Sequence, residues 1–313
     1  MQRWKKSSPR RQRFGVLLFD GFSNHCLANT VEPLRAANML SGKTLYDWRF
    51  LSLDAGPVTS SSGLQVAPHA RLSSESGDML MVMPSYGFRD YLSWPIGAAL
   101  RSASARFSTL AGLDTGSWLL ADAGLLSGTK ATIHWEELTG FAERFPDVEV
   151  LRERFVIDGD RITCSGAMAA FDLVMHLIGR DHGQALALEV AQLFMTRDSA
   201  RSHAGSGTSA SVNRALAVMQ TNLEHPLSIP EVARQARIAQ KSLEARMRAE
   251  LGAGPSQVYR RMRLNLVRKL VSETDLAVTE MALRAGYENA SAMTRAFRRE
   301  FGATPIQLRY NRP

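Results

Sequence analysis

A mostly parallel α/β sheet with helices on both faces, followed by an all-α domain with two helix-turn-helix motifs, is the fold these 313 residues predict. Three observations lead there. Apolar runs of strand length alternate with helical periodicities over 14–194, as in a parallel sheet covered on both sides. From 212 onward the pattern is helical throughout, and one short motif occurs twice, about fifty positions apart. The charge divides at the same place: residues 201–313 hold 18 Lys+Arg against 9 Asp+Glu, whereas 14–200 hold 14 against 21. An acidic body joined to a basic C-terminal part directs only the latter toward a polyanion.

Residues 1–13 form a basic tail with six cationic side chains and no acidic one. Phe14–Phe19 is a short apolar run closed by Asp20-Gly21, which suits a buried strand and its turn. Leu27, Val31, Leu34 and Ala37 repeat at helical spacing, with Pro33 expected in the first turn or at the helix start because a proline deeper in the helix removes a backbone donor. Trp48–Leu53 and Met79–Met83 are further buried strands, and Phe107–Leu110 another, leading into helical Ser117–Ala123. Glu136–Phe145 is predicted helical, and Val148–Val150 and Phe155–Ile157 extended. Asp158-Gly159-Asp160 is a hairpin turn into Arg161–Thr163. Helices Ala167–Ile178 and Ala185–Phe194 close a flavodoxin-like domain spanning 14–195. The Ser-, Gly-, Ala- and Thr-rich stretch 196–211 is expected to be a linker, having too little apolar surface to order itself.

The repeat lies in 212–313. Leu227, Ala233, Ile238, Leu243, Arg248, Glu250, Leu251, Gly252 and Pro255 are answered by Leu276, Ala282, Tyr287, Ala292, Arg298, Glu300, Phe301, Gly302 and Pro305. The offset is 49 for the early pairs and 50 for the late ones, so one residue is inserted inside the unit. Ser228-Ile229-Pro230-Glu231 is a capping box that starts a helix, and a turn at Ile238-Ala239 leads to a second helix ended by Gly252. The motif at about 229–251 is a helix-turn-helix, whose second helix enters a major groove. The copy at about 278–301 turns at Gly286, and its cap position, Ala277, offers no side-chain acceptor. The helical stretch 256–272 forms a rod of roughly 25 Å between them. That length sets two recognition helices near one DNA turn apart, about 34 Å.

Outward-facing Gln240, Lys241, Glu244 and Arg246 in the first recognition helix, with Asn289, Thr294 and Arg295 in the second, are expected to read bases. Ser291 faces outward with them, and Arg248, Arg298 and Arg299 are expected to hold phosphates. Ala282-Leu283-Arg284-Ala285-Gly286-Tyr287 and the stretch from Arg295 to Pro305 resemble the AraC/XylS-type DNA-binding domain. The resemblance implies a sequence-specific transcriptional regulator on double-stranded DNA, usually an activator that engages RNA polymerase, and often a homodimer.

Residues 14–194 resemble the class I glutamine amidotransferase-like (PfpI-type) domain of one subgroup of these regulators. Val31-Glu32-Pro33-Leu34-Arg35, Asp114-Thr115-Gly116, Leu120–Leu126 and Ala131-Thr132-Ile133-His134-Trp135 carry it. In the enzymes of that superfamily, a strand-to-helix elbow presents a nucleophilic cysteine assisted by His and an acidic residue. Here the elbow falls on Asp114, which cannot do a thiolate's work, so no catalytic residue is expected. An amidase-like hydrolase with an attached DNA-binding domain is the alternative, through Cys164 or a Ser at 117 or 165. A nucleoid-type structural protein is a third reading.

Asp114, Glu32 and His134, with Trp135, Tyr86 or Phe22 as aromatic wall, are candidates for a ligand cleft at the carboxyl ends of the strands. Carboxylates near aromatic faces favour a cationic metabolite such as an amino acid, polyamine or quaternary amine; the subgroup resembled includes sensors of quaternary amines and of arginine. The same residues also read as ordinary structure, with His134 and Trp135 as core and Glu32 bracing the elbow. Two cysteines, Cys26 and Cys164, fit a reducing compartment, and the histidines lack metal-ligand spacing. Neither metal nor cofactor is expected. Arg10-Arg11 superficially resembles an export signal, but Asp20 interrupts the apolar run behind it and no cleavage site follows. No apolar stretch approaches the roughly 20 residues of a membrane helix, and a cytoplasmic protein is expected.

Overall fold

Three consecutive residues, Val16, Leu17 and Leu18, are almost wholly buried in the computed structural model, which describes residues 11–194 and 209–310. Successive side chains in a strand point to opposite faces, so this strand has no wet side. It is β1 (Gln12–Leu18), followed by α1 (Asn24–Ser41), β2 (Tyr46–Ser52) and the two-residue strands β3 (Val58–Thr59), β4 (Gln65–Val66) and β5 (Ala70–Arg71). Next come β6 (Gly77–Met83), α2 (Trp94–Ser104), β7 (Phe107–Leu113) and α3 (Gly116–Asp122). Then follow β8 (Lys130–Ala131), α4 (Leu138–Arg144), β9 (Glu149–Val150), β10 (Phe155–Asp158) and β11 (Arg161–Cys164). Helices α5 (Ala167–His182) and α6 (Gln184–Phe194) complete this part.

Seven strands form one sheet in the order β10-β11-β7-β6-β1-β2-β5. Every pairing is parallel except the β10–β11 hairpin. Its turn contains Gly159 at φ 59°, as the Asp-Gly-Asp signal requires. The chain leaves β1 toward β2 through α1, and leaves β6 toward β7 through α2. The winding therefore reverses between β1 and β6, the place where doubly wound sheets bind ligands. One apolar layer joins Leu17, Leu51, Leu80 and Leu110 to Leu100 of α2 and Leu119 and Leu120 of α3. On the opposite side, α1 packs along α5.

Two expectations need correction here, and one helix was not expected. Pro33 is the tenth residue of α1, not part of its first turn. Ser23 caps the helix by accepting from the Cys26 N–H, so it starts at Asn24 and already has two turns before the proline. The segment 136–145 begins as a single 3-10 turn, Trp135–Glu137, before α4. Helix α2 is not signalled by periodicity, although Pro95 lies in its first turn.

The second part comprises α7 (Ala210–Gln220), α8 (Ile229–Gln235), α9 (Gln240–Leu251), α10 (Pro255–Glu273), α11 (Val278–Arg284), α12 (Ala290–Phe301) and α13 (Pro305–Tyr310). It has two small cores. One joins Val212 and Leu216 to Val232, Leu243 and Met247; the other joins Leu264 and Val267 to Met281, Met293 and Phe297. Contacts divide the described residues into one unit of 11–182 with Glu189–Leu193, and another of Gly183–Leu188 with Phe194 and 209–310. The expected tail and linker lie mostly outside the described residues; β1 takes the last two positions of the former, and α7 begins at Ala210, inside the latter.

Candidate functional site

Two structures carry chemistry, one in each unit. In the helical unit, α8–α9 and α11–α12 are the two helix-turn-helices. Their start signals differ as the sequence predicts: Ser228 and Glu231 form the reciprocal capping box, whereas Ala277 makes no side-chain cap bond. The core positions locate the inserted residue. Val232 and Ala233 match Met281 and Ala282 at an offset of 49, and Leu243 and Met247 match Met293 and Phe297 at 50. Glu288, in the turn before α12, is therefore the extra residue, and Leu243 corresponds to Met293 rather than to Ala292. The turns are alike at their first step, where Arg237 (φ 56°) and Gly286 (φ 69°) are both left-handed. A side chain at 286 is excluded, since a Cβ there would lie 2.7 Å from the Leu223 carbonyl oxygen.

The outward faces of α9 and α12 differ. On α9, Gln240 donates to Glu244 (2.9 Å), and Arg248 pairs with the same carboxylate at 3.7 Å. Arg246, expected at base edges, donates to Ser211 Oγ on α7 (2.8 Å), which draws it back toward the protein. Lys241 stands exposed. Asn289, also expected at bases, serves as the N-cap of α12, its Oδ1 accepting from the Ala292 N–H at 2.7 Å. That fixes the side chain at the helix start, with its Nδ2 and one lone pair of Oδ1 left for another partner. Ser291, Arg295, Arg298 and Arg299 are exposed and Thr294 half-buried; the three arginines make no ion pair among the described residues. Half-buried Arg261 of α10 holds Glu300, the acidic residue of that helix.

In the α/β unit the feature is the turn after β7. Asp114 is one of three non-glycine residues with positive φ among those described, at 61°. Its strand and helix are close enough that Gly112 and Gly116 tolerate no Cβ: one at 116 would fall 2.1 Å from the Val82 oxygen, and one at 112 would fall 2.6 Å from the Ser117 nitrogen. The stretch is thus Gly112-Leu113-Asp114-Thr115-Gly116, a nucleophile-elbow pattern with Asp at its centre. Gly112 adds to Asp114-Thr115-Gly116 the second glycine of that pattern, a signal already present in the sequence. The Asp114 N–H donates to the Cys164 oxygen (3.0 Å), and its own carbonyl accepts from the His134 N–H (3.1 Å). Its Oδ2 accepts from Ser85 Oγ at 3.0 Å.

Asp114 opens on a cavity of about 260 Å³, lined also by Ser85, Tyr86, Arg89, His134, Glu136 and Glu137. It lies at the carboxyl ends of β6 and β7. Burial pushes the Asp114 carboxyl above its ordinary range and Glu136 adds to that, while the Ser85 hydrogen bond and His134 oppose it. Glu136 Oε2 is 3.8 Å from His134 Nδ1. Arg89, the cation in the lining, is already committed: it is bidentate to Glu137 (3.2 and 2.5 Å) and stacks on Phe88 and Trp118. The cleft therefore carries a surplus of carboxylate.

Of the predicted ligand residues, Asp114, His134 and Tyr86 meet here, and three do not. Phe22 is fully buried, tied by its backbone to Ser60 and Ser61. Glu32 is not among the residues lining the cavity and pairs at the surface with Arg35, at 2.7 Å. Trp135 is 65% exposed and lies against the His134 ring rather than in the cavity. Both cysteines are buried, and desolvation raises their thiols, Cys164 to about 12. Neither offers a thiolate at neutral pH.

A doubled helix-turn-helix with free arginines on its second reading helix defines a DNA-binding transcriptional regulator. Residues 232–311 match the model of a helix-turn-helix domain family. The chain is 36% identical over 308 residues to the HTH-type transcriptional regulator CdhR of Pseudomonas aeruginosa, covering 95% of this chain and 91% of that one. A crystal structure of an AraC family transcriptional regulator from Pseudomonas putida matches 59% of this chain and all of its own, at 28% identity and TM-score 0.53. A THiJ/PfpI family protein from Pseudomonas syringae shares the fold over 75% of this chain and 95% of its own, at 20% identity and TM-score 0.51. The chain belongs to the AraC family of transcriptional regulators, and the α/β domain ahead of its DNA-binding domain shares the fold of that THiJ/PfpI family protein.

Proposed function

We propose that this regulator reads two successive major-groove segments through α9 and α12, and that a small cationic metabolite in the Asp114 cleft governs it without being chemically changed. The observation supporting the first half is the repeated burial pattern, which buries the same two positions of each reading helix and leaves the polar residues between them outward. Base readout is assigned to Gln240, Lys241 and Glu244 and to Thr294 and Arg295, with Arg248, Arg298 and Arg299 on phosphates. Selection of a binding site from random DNA tests this. Arg295→Ala should lower discrimination between the selected site and random DNA by ten-fold or more, about the 1–3 kcal/mol of one base contact; an unchanged ratio removes the assignment.

The second half is supported by the carboxylate at a position shaped for a nucleophile. Asp114 and Glu136 face a cleft whose arginine is already paired, so a cationic guest is electrostatically matched there. The elbow holds no thiol, and both cysteines are buried, which favours sensing over amide hydrolysis. Homodimerisation and activation through RNA polymerase are read from the family resemblance, and a cytoplasmic location from the two cysteines and the lack of a membrane-length apolar run. A thermal-shift series with cationic amino acids, polyamines and quaternary amines tests the ligand class, because binding to the native state raises its melting temperature. Shifts for anionic metabolites alone would overturn it.

A further inference from the structure

The repeat extends further upstream than the sequence pattern that reveals it. On α7, Arg214 Nε donates to the Ala236 carbonyl at 3.0 Å. On α10, forty-nine positions later, Arg263 Nε donates to the Ala285 carbonyl at 2.7 Å. Ala236 and Ala285 are the C-cap residues of α8 and α11, each directly before the left-handed turn residue, Arg237 or Gly286. A helix C-terminus presents unsatisfied carbonyls and partial negative charge, which a guanidinium complements. In both copies, then, an arginine from the preceding helix grips the joint between the two helices of the motif. The second grip is the firmer. Arg263 Nη2 also donates to the Gly286 oxygen at 2.6 Å, and its guanidinium lies 4.2 Å over the Tyr287 ring.

We infer that Arg214 and Arg263 are positioning residues for DNA recognition: each fixes the angle at which its own reading helix leaves the turn, without touching DNA. This rests on α9 and α12 being the reading helices. Arg263 is half-buried with its guanidinium committed to two carbonyl oxygens and a ring, and Arg214, although exposed, commits its Nε to the Ala236 carbonyl; a phosphate contact by either would show in the salt dependence. Lysine at either place keeps the charge but not the planar fork that reaches the carbonyl, and at 263 that spans two carbonyls and an aromatic face.

The test uses the full-length protein and the DNA site selected by it. Arg263→Lys should lower affinity for that site about ten-fold, while affinity for random DNA and the salt dependence remain those of the parent. The loss should be local. Base changes in the segment protected by α12 should matter less in Arg263→Lys, and those in the segment protected by α9 should keep their full effect. Arg214→Lys should show the reverse with a smaller loss, and its single hydrogen bond keeps the test available if the 263 variant does not fold. Equal loss at both segments would mean a merely structural role and overturn the inference. So would a salt slope lower by about one, the mark of a lost phosphate contact. Arg295→Ala on the same DNA separates the two readings: if it changes nothing, the assignment of α12 fails, whatever the clamps do.

Discussion

At the scale of single residues, Asp114 unites strain, burial and charge. A non-glycine residue at φ 61° costs of order 1 kcal/mol or more, and its carboxyl is desolvated besides. Both costs fall on the native state. Because burial raises the folded-state carboxyl above its unfolded value, the native state is favoured while the group is protonated. That advantage is lost as pH rises through the folded value. Asp114→Asn removes the ionisation and suits the left-handed region. The variant should therefore melt higher than the parent near neutral pH, with the gap closing as pH falls below the ordinary carboxylate range. It should also lose the response to a cationic effector while keeping its affinity for DNA. Melting curves across pH check the first claim, and a gap that widens toward acid would refute it. Arg237, exposed at φ 56° where the second copy has glycine, is a smaller case. Arg237→Gly should change stability by no more than about 1 kcal/mol, in the stabilising direction, since relief of strain exceeds the entropy glycine adds.

At the scale of elements, the two helix-turn-helices are built alike but started differently. The capping box at Ser228 supplies two bonds that Ala277 cannot. Ala277→Ser would face Glu280 at the matching third position, provided that carboxylate leaves Arg284, which it holds at 2.9 Å at the surface. The gain should be about 1 kcal/mol, and Ser228→Ala should lose a similar amount; denaturant titration of the two variants measures both, and changes of the same sign would contradict the capping account. These start signals were legible because they are local in sequence. So were the strands of the sheet centre, whose apolar runs have no alternation to confuse them. Pro33 sits inside α1 because a local cap at Ser23, accepting from the Cys26 N–H, begins the helix early. The rest of what the sequence does not disclose is decided by tertiary contact. Phe22 looked like a pocket wall and is core, because the chain beyond β1 folds back against Ser60 and Ser61. The Arg214–Arg263 correspondence was hidden because their surroundings on α7 and α10 differ, and only their shared acceptors reveal them.

At the scale of the whole molecule, the asymmetry between the reading helices predicts how binding depends on salt. Arg295, Arg298 and Arg299 on α12 are free of ion pairs among the described residues, while Arg248 on α9 lies near Glu244. A phosphate contact made by a free arginine releases a full complement of counterion, contributing a slope of about 0.9 in log K against log salt on duplex DNA. A contact made by Arg248 first requires separation from Glu244, and that carboxylate stays close by, opposing the phosphate. Although exposed ion pairs of this kind contribute little to stability, the nearby negative charge still lowers the net gain on binding. Arg298→Ala should therefore reduce the slope by nearly one and weaken selected and random DNA alike. Arg248→Ala should reduce it by clearly less. Affinities measured between about 50 and 200 mM salt, the span over which several phosphate contacts change binding by orders of magnitude, distinguish the two. Equal slopes in the two variants would mean that both helices carry the backbone equally, and the division of labour between α9 and α12 would have to be abandoned.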